Sequence, residues 1–331
     1  MDDAVNLPKV ELHLHLDCSL SYKVVKKLDP SVTAEEYAES FIAPQKCYDL
    51  ADFLTRALKG FHLMQSAEAI FLVVEDLFEQ MKEDNMLYAE IRFAPLQHLE
   101  NGMTPFEVVQ AAEKAVRKSV AETTIECRLL LCTLRHYSET QSMETVKLVE
   151  AFKGSFVAGF DIAADEAGFP IDNHLSAFKY AEEKSIPCTA HAGEAKGAES
   201  VWETLKFFGP TRIGHGVRSY EDERLVKHLV KNNIHLEVCP TCNVQIDIYP
   251  EYRDHPVDKL YRAGVSLNIN TDARTITNVT LSREYQKLQE TFGWIKADFY
   301  QCNVNAIQAA FVSDKLKQAL LAKLSMAYGY L

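Results

Sequence analysis

The sequence predicts an α/β protein, a (β/α)8 barrel with extra helices at the barrel mouth and at the C-terminus. Short apolar segments alternate with amphipathic helical patterns along the 331 residues. In the second half, the starts of the apolar segments lie about 22–31 residues apart, the spacing of repeated strand–helix units. The first strand is followed by Asp17-Cys18-Ser19, without the glycine-rich turn of an open nucleotide-binding sheet. We therefore expect residues 1–331 to form a single barrel domain.

The elements of this barrel can be placed in order along the chain. The candidate strands are Lys9–Leu16, Leu87–Phe93, Ile125–Thr133, Val157–Ala163, Ile186–His191, Arg212–His215, Ile234–Cys239 and Val265–Asn270. Helical patterns between them include Ala198–Phe208, Asp222–Asn232 and Pro256–Ala263. The stretch Pro30–Leu58 is long for one connection and predicts extra helices over the mouth, and Asp298–Leu324 predicts C-terminal packing helices.

Composition narrows the classes of function. Hydrophobic residues make up 47% and charged residues 25% of the chain, as is ordinary for a soluble enzyme. The net charge of −12 disfavours nucleic acid as a partner but does not affect a small neutral ligand. The N-terminus, Met1-Asp2-Asp3-Ala4, lacks the pattern of a secretory signal, and no apolar stretch is long enough to cross a membrane. The eight cysteines lack a disulfide-framework spacing, which favours reduced thiols in the cytoplasm.

The first strand carries two histidines that can share one metal ion. Alternate residues of a strand lie on one face, so His13, His15 and Asp17 point the same way while the leucines between them point the other way. An isolated His-x-His pair is most often structural. Here, however, the pair lies near the C-terminal end of the first barrel strand, where the active sites of such barrels form.

Three later strands deliver polar residues to the same end of the barrel. His191, His215 and Asp272 each close or directly follow an apolar run. Any one of them alone could be a hydrogen-bonded core residue, but their convergence at one mouth predicts a metal site. Three histidines (13, 15 and 191) with Asp272 leave a coordination position open for water, as in catalytic zinc centres.

The chemistry of such a site follows from the ligand set. Zinc lowers the pKa of bound water to about 7 and so supplies a nucleophile at neutral pH. Glu194, three residues after a ligand, is placed to donate or shuttle a proton, and His215 could hold or deprotonate the water. The fourth strand ends in Phe160–Glu166 without a lysine to bridge two metals, so we expect one zinc ion per chain.

Taken together, these motifs resemble the adenosine deaminase family of metal-dependent amidohydrolases. The matching pieces follow the family's order from Leu7 to about Tyr285: Leu7–Asp17, Ala89–Pro95, Phe160–Glu166, His191–Glu194, Ile213–Gly216, Glu237–Asn243 and Leu267–Asp272. The resemblance implies zinc-dependent hydrolysis of adenosine or 2′-deoxyadenosine to the corresponding inosine and ammonia, with a purine nucleoside as the partner.

The resemblance also implies the roles of individual residues. Glu194 would protonate purine N1, His215 would orient the attacking water and stabilise charge, and Asp272 would bind zinc and accept a hydrogen bond from that water. Asp17 would meet a sugar hydroxyl, and the backbone amide of Ala164 would meet purine N3.

Two further candidates have alternative interpretations. Phe53 lies in Asp49–Leu54, which is similar to the family's apolar helix beside the ligand and equally fits a helix packed on the barrel. Asp161, near the end of the fourth strand, either lines the substrate site or caps the next helix, and we expect a supporting role for it.

The chain departs from the family pattern at three positions. Ala273 replaces an aspartate thought to contact purine N7, and we hypothesise that Arg274 serves there instead. Cys18 and Ala164 stand where glycine is usual. These changes leave the zinc chemistry intact and keep other substrates open: adenine, methylthio- or N6-modified adenosine, or AMP.

Two other classes of function are disfavoured. A non-deaminating amidohydrolase would not require an acid at Glu194, and a catalytically inactive binding protein would be expected to lose a ligand or that acid. A second zinc-deaminase signature, His235-Leu236-Glu237 with Cys239 and Cys242, has its two parts too close together for one zinc. We interpret both cysteines as structural.

Overall fold

The computed structural model describes residues 6–330. The N-terminal residues 1–4, on which the prediction about a secretory signal rests, lie outside this range. Among the described residues, no helix combines the length and the apolar character that crossing a membrane requires.

Eight parallel strands form the centre of the molecule. They are β1 (Lys9–His15), β2 (Met86–Phe93), β3 (Glu126–Leu134), β4 (Val157–Ala163), β5 (His191–Ala192), β6 (Arg212–His215), β7 (His235–Val238) and β8 (Leu267–Ile269). Neighbouring strands pair in sequence order, as the sets β1–β4 and β5–β8. Parallel order of this kind requires a crossover between each pair, and the helices provide it.

Backbone hydrogen bonds join the two four-stranded sets at both seams. Between β8 and β1, the Asp272 amide donates to the His13 carbonyl at 3.1 Å, and the His15 amide donates to the Asp272 carbonyl at 2.7 Å. Between β4 and β5, the Phe160 amide donates to the Pro187 carbonyl at 3.0 Å. The predicted barrel is thereby confirmed, and the first seam brings the ends of β1 and β8 together.

The fifth strand is shorter than the sequence predicts. Only His191–Ala192 is regular strand, whereas the apolar pattern predicted Ile186–His191. An isolated bridge between Phe160 and Cys188 replaces the regular ladder upstream. Pro187 lacks an N–H and cannot donate to a ladder, so regular pairing does not extend upstream of the Cys188 bridge.

Sixteen α-helices are described between residues 6 and 330. Four of them follow β1: α1 (Tyr22–Leu28), α2 (Ala34–Ser40), α3 (Leu50–Leu54) and α4 (Ala57–Leu63). The connecting helices are α5 (Ala67–Glu83), α6 (Pro105–Thr123), α7 (Glu139–Ala151), α8 (Leu175–Glu183), α9 (Ala198–Phe208) and α10 (Glu223–Asn232). The remaining six are α11 (Pro240–Gln245), α12 (Val257–Arg262), α13 (Arg274–Thr277), α14 (Leu281–Phe292), α15 (Lys296–Ala309) and α16 (Asp314–Tyr328).

Local sequence signals explain several helix boundaries. Helix α6 begins with a capping box of Thr104 and Glu107 around Pro105, and it ends at Thr124 in the left-handed conformation. Helix α9 has the predicted bounds because Gly209, at φ 59°, ends it. The predicted C-terminal helical stretch is two helices, α15 and α16, and α15 packs against β1 and β8.

The helices after β1 lie over the barrel mouth, as the long connection predicts. Helix α4 comes so close to the 3-10 turn Leu16–Cys18 that a Cβ atom on Gly60 would lie 2.1 Å from the carbonyl oxygen of Asp17. Only glycine allows this approach. The insertion is therefore packed directly on the segment that carries Asp17.

Candidate metal centre and active site

The ends of three strands bring the four predicted metal ligands into one cluster. His13 and His15 come from β1, His191 from β5, and Asp272 from the turn after β8. One potential ligand atom from each lies within 4.8 Å of the corresponding atom of every other. Asp272 sits at φ 65°, a left-handed conformation that is costly for a non-glycine residue and is typical of functional turns.

Carboxylates orient two of these imidazoles. Nδ1 of His13 lies 2.9 Å from Oε2 of Glu237, and Nδ1 of His191 lies 3.2 Å from Oδ1 of Asp161. Each ring therefore presents its Nε2 to the cluster. Such carboxylate partners fix the tautomer and the orientation of histidines that bind metal.

The cluster fits a zinc ion. Nε2 of His13 is completely buried and makes no hydrogen bond, although Oδ1 of Asp272 lies 3.1 Å away. Nε2 of His15 and Nε2 of His191 face each other at 3.2 Å. Buried polar atoms that converge without good partners indicate a missing ligand, and three nitrogens with one carboxylate are donors that zinc prefers.

Arg92 connects the two orienting carboxylates. Its guanidinium lies 2.8 Å from Oδ2 of Asp161 and 2.6 Å from Oε2 of Glu237, and all three side chains are fully buried. Burial alone would raise the pKa of both acids. The neighbouring His191 and Arg92 instead lower that of Asp161, and Arg92 and Arg212 lower the pKa of Glu237 to about 2. Both partners are thus ionised acceptors.

Three histidines of the site, His13, His15 and His215, are neutral at ordinary pH. Burial is the main cause that lowers the pKa of His13, His15 and His215 well below the usual value. Nearby positive groups, including Arg92, lower it further. A neutral imidazole is the form that binds a metal ion or accepts a proton.

Glu194 lies beside this cluster in a constrained loop. The buried carboxylate of Glu166 accepts hydrogen bonds from the backbone amides of Gly193, Glu194 and Lys196 at 2.8–2.9 Å. Burial raises the pKa of Glu194 well above its usual value, and the carboxylates of Asp272 and Glu166 add to the shift. Glu194 is therefore available as a proton donor.

His215 faces Glu194 across the site. Its Nε2 lies 3.4 Å from Oε1 of Glu194, and its Nδ1 lies 3.1 Å from Nδ2 of Asn243. Asn243 in turn accepts a hydrogen bond from His255 at 3.2 Å. With the amide group donating to Nδ1, Nε2 carries the proton of the neutral ring.

Two small apolar clusters flank the polar centre. Ala164, at φ 78°, packs with Ala94, Cys132 and Tyr137 on the side of β2–β4. The second cluster comprises Cys18, Ala43, Cys47, Leu50, Phe53, Ala57, Cys239, Cys242, Ile246, Ala273 and Ile276. The structure thus brings Phe53 beside residues that adjoin Asp17, Glu194 and Asp272, as expected of a wall next to a ligand.

Two cysteines of the second cluster, Cys239 and Cys242, lie closer to Glu194 and the predicted metal ligands than a purely structural interpretation implies. Sγ of Cys242 is 3.9 Å from Oε1 of Glu194, and Sγ of Cys239 lies within 4.8 Å of ligand atoms of His13, His215 and Asp272. Burial raises the pKa of both thiols well above the usual value, so both are protonated.

Asp17 is buried at the edge of the site. Its Oδ2 accepts a long hydrogen bond of 3.4 Å from the Ala94 amide, and Oδ1 accepts one of 3.6 Å from the Cys18 thiol. Burial raises the pKa of this carboxyl to about 7. Neither contact satisfies the carboxyl fully, which leaves it able to bind a further donor.

Two predicted substrate residues have protein partners instead. The Arg274 guanidinium lies 2.9 Å from Glu11 and 3.0 Å from Asp84 in a buried ion-pair network, not with the metal cluster. Asp161 is fully buried and holds His191 and Arg92. Side-chain direction explains both outcomes. The sequence places each residue near a strand end, but it does not show which buried partner the side chain reaches.

Sequence reasoning did not single out four residues that support the site: Arg92, Glu166, Asn243 and Glu237. Each lies inside a motif piece that the resemblance uses, namely Ala89–Pro95, Phe160–Glu166 or Glu237–Asn243. For Arg92 and Glu237, a charged residue in an otherwise apolar strand was the available signal, since burial of an isolated charge requires a partner.

Fold and site together define a metal-dependent hydrolase of the (β/α)8-barrel class. The family model described as adenosine deaminase matches residues 8–327. A protein named adenosine deaminase from Clostridium acetobutylicum is 35% identical over 98% of this chain and 98% of the relative's length. A protein of the same name from Streptococcus mutans is 33% identical over 98% of this chain and 94% of the relative's length. The chain belongs to the adenosine deaminase family, whose members are hydrolytic deaminases acting on C–N bonds.

Solved structures share the fold at lower identity. The adenine deaminase of Arthrobacter aurescens is 24% identical with a TM-score of 0.89, covering 97% of this chain and 98% of its own. The Arabidopsis N6-mAMP deaminase is 24% identical with a TM-score of 0.88, covering 98% and 100%. A zinc-bound amidohydrolase from Burkholderia ambifaria is 22% identical with a TM-score of 0.90, covering 98% and 92%.

Proposed function

We propose that this enzyme hydrolyses adenosine or 2′-deoxyadenosine to the corresponding inosine and ammonia. The observation that carries the proposal is the position of Glu194, a buried carboxyl with a raised pKa that lies 3.4 Å from His215 beside the metal cluster. Removing an amino group from a purine ring requires an acid for the ring nitrogen, and Glu194 is placed to be that acid.

His13, His15, His191 and Asp272 are the proposed zinc ligands, with one zinc ion per chain. Bound zinc supplies an activated water, because coordination lowers the pKa of water to about 7. Glu237 and Asp161 keep the two buried imidazoles oriented toward the ion. The protein thereby fixes where the nucleophile stands relative to Glu194.

The acid and base steps use residues on either side of that water. Glu194 donates its proton to purine N1, which makes C6 electrophilic, and His215 orients the water and stabilises the charge that develops. A C6–O bond forms and the C6–N bond breaks. The attacking water releases both of its protons: one replaces the proton that Glu194 gave to N1, and the other goes to the exocyclic nitrogen, which leaves as ammonia. The buried site strengthens each of these electrostatic interactions.

The substrate contacts extend from this centre. We assign a sugar hydroxyl to Asp17, purine N3 to the backbone amide of Ala164, and an apolar face of the ligand to Phe53. The carboxyl at Asp17 also bears on the alternatives, because its ionised form repels the phosphate of AMP. The cysteines bear on a separate question, the cellular location. All eight are free thiols, which is typical of a reducing compartment, and we therefore place the enzyme in the cytoplasm.

A panel of 6-aminopurines tests the proposal directly. The zinc-loaded protein is incubated with adenosine, 2′-deoxyadenosine, adenine, methylthioadenosine, an N6-methyl nucleotide and AMP while ammonia release is followed. We expect the highest kcat/KM with adenosine or its 2′-deoxy analogue. Higher kcat/KM with adenine or a nucleotide would replace the substrate, and no ammonia from any compound would overturn the proposal.

The Glu194→Gln variant tests the assignment of the acid. General acid catalysis contributes about 10²–10⁴-fold to rate, so we expect kcat to fall by that factor. Zinc content should stay at one per chain, because Glu194 is not a proposed ligand. A variant with near-parental kcat would show that another group is the acid.

A further inference from the structure

We propose that His98 and Asp17 form a two-residue subsite that binds one hydroxyl of the substrate's sugar. His98 is the hydrogen-bond donor and Asp17 the acceptor. This inference rests on the proposed function, since it concerns a nucleoside substrate. It adds a substrate-binding residue that the motif pieces do not include, because His98 lies in the loop after the piece Ala89–Pro95.

The first observation is that His98 is a buried polar side chain whose contact with the backbone carbonyl of Met64 falls short of a well-formed hydrogen bond. It is completely inaccessible to solvent, and neither Nδ1 nor Nε2 makes a hydrogen bond that meets ordinary geometry. The rings of Phe61 and Phe93 lie about 6 Å from it. Leaving a buried polar group unsatisfied costs about 1–3 kcal/mol, so such a group calls for a ligand or a water that the apolar neighbours do not supply.

The second observation is what the ring faces. Nε2 of His98 lies 3.9 Å from Oδ2 of Asp17, which is too far for a direct hydrogen bond. The two atoms are nevertheless close enough for one oxygen to lie within hydrogen-bond distance of both. A hydroxyl group fits this gap because it can accept from His98 and donate to Asp17 at the same time.

Asp17 has the capacity for such a ligand. Its contacts within the protein are the long ones from the Ala94 amide and the Cys18 thiol, at 3.4 and 3.6 Å. Asp17 lies in the 3-10 turn that directly follows β1, two residues beyond His15, so a group held here lies beside the metal cluster. The subsite is thus continuous with the site at which the purine is to react.

The third observation is that the loop carrying His98 is held in place. The side chain of Gln65 donates to the carbonyl of Gln97 at 2.8 Å, and Gln97 donates to the hydroxyl of Tyr137 at 2.6 Å. On the other side, Gly60 lies against the carbonyl of Asp17. The His98–Asp17 separation is therefore fixed by the fold, as recognition of one hydroxyl requires.

Deoxy analogues of the substrate test this subsite. We compare kcat/KM of the zinc-loaded wild type and His98→Leu with adenosine and with its 2′-, 3′- and 5′-deoxy forms. His98→Leu should lower kcat/KM for adenosine by about 10- to 100-fold. It should leave kcat/KM nearly unchanged for the one analogue that lacks the bound hydroxyl, which the wild type already uses poorly.

Two further variants keep the test interpretable. His98→Gln retains an N–H donor, so it should recover part of the activity on adenosine that His98→Leu loses. His62→Leu is the matched control, because His62 is a largely exposed histidine on the neighbouring helix α4, and it should leave the pattern across analogues as in the wild type. Zinc content and the unfolding midpoint are measured for each variant.

The outcomes separate this inference from the proposed function. If His98→Leu lowers kcat/KM by the same factor for adenosine and all three analogues, His98 holds a structural water or packs the loop, and the subsite is wrong. If the wild type turns over adenosine while His98→Leu shows this uniform loss of kcat/KM, the proposed function is still supported. No turnover of any nucleoside by the wild type would instead contradict the proposed function.

Discussion

Oε2 of Glu237 lies 2.9 Å from Nδ1 of His13, and the same oxygen lies 2.6 Å from the guanidinium of Arg92. One buried carboxylate therefore orients the imidazole of a proposed zinc ligand and neutralises the arginine beneath the site. Its other oxygen accepts from Arg212 at 2.7 Å and from Thr189 at 2.8 Å. Glu237 thus links the metal cluster to the polar centre of the barrel.

We predict that Glu237→Gln weakens zinc binding without removing a zinc ligand. Mutation of a group that orients a metal-bound histidine typically costs 10- to 100-fold in metal affinity, so we expect a loss of about that size. Competition with a chromogenic chelator measures the affinity.

Glu90→Gln provides the matched control for this prediction. Glu90 also pairs with Arg212, at 2.7 Å, but does not contact His13. Both variants should lose stability because each leaves a buried arginine with one carboxylate fewer. Equal zinc affinities in the two variants would show that the contact to His13 does not support the metal site.

A second prediction concerns the backbone at Ala164. This residue adopts φ 78°, where the Cβ of an L-residue is strained and glycine is not. Ala164→Gly should therefore leave the free energy of unfolding unchanged or raise it by about 1 kcal/mol, despite the flexibility that glycine adds to the unfolded chain. Urea unfolding at neutral pH measures the difference.

The neighbouring residue Ala163 supplies the comparison. It is buried in the same apolar cluster but lies in β4 and has no positive φ. Ala163→Gly should lose about 0.5–1 kcal/mol, the usual penalty for glycine within a strand. If both variants lose the same amount, Ala164 is not strained, and its Cβ is accommodated as well as that of any strand residue.

A third prediction distinguishes the two interpretations of Arg274. Its guanidinium pairs with the buried carboxylates of Glu11 and Asp84. Arg274→Met leaves both acids without this partner, so the free energy of unfolding should fall by about 3–5 kcal/mol. The KM for adenosine of the folded variant should match that of the wild type.

Arg283→Met serves as the control, because Arg283 is a half-exposed arginine that pairs with Glu290 at 3.5 Å on the surface. It should change stability little, since exposed ion pairs contribute little. A raised KM in Arg274→Met with unchanged stability would restore the hypothesis that the arginine contacts the purine.

The sequence predicts the convergence of His13, His15, His191 and Asp272 because the signal is local. His13 and His15 are one pleat apart on a strand, and the barrel places the ends of its strands at one mouth. His191 and Asp272 needed only the further step that each ends an apolar run. The order of the strands and the helices over the mouth follow from the same periodicity.

The parts that the sequence did not predict depend on side-chain direction across the barrel. Arg92 and Glu237 belong to strands that are not neighbours in the chain, and nothing local shows that they meet beneath His13. Arg274 follows Asp272 by two residues, yet its long side chain points to Asp84. The upstream end of the fifth strand is limited by one missing donor, at Pro187, which an apolar pattern does not show.

The last prediction concerns stability in acid and rests on Asp84. Its carboxylate accepts hydrogen bonds from the amides of Leu281 and Ser282 at the start of α14, at 2.7 and 2.9 Å. Burial alone would raise the pKa of Asp84, but Arg274, the hydrogen bonds from Ser282 and the charge of Lys9 together lower it. The folded-state pKa is therefore below the unfolded value of about 3.9.

The sign of the effect follows from this difference. A group whose pKa is lower in the folded state contributes stability that is fully present above about pH 4 and is lost as the pH falls through the folded-state pKa. Asp84→Asn removes that contribution, so its deficit in unfolding free energy relative to the wild type should be largest at neutral pH and should shrink below pH 4. Urea unfolding of both proteins from pH 7 to pH 3 measures the deficit. Zinc release in acid affects both proteins and so cancels in the comparison.

Glu83→Gln, at an exposed neighbouring position, is the control and should show little change in unfolding free energy at any pH. If the deficit of Asp84→Asn instead grows in acid, the network does not lower the pKa of Asp84.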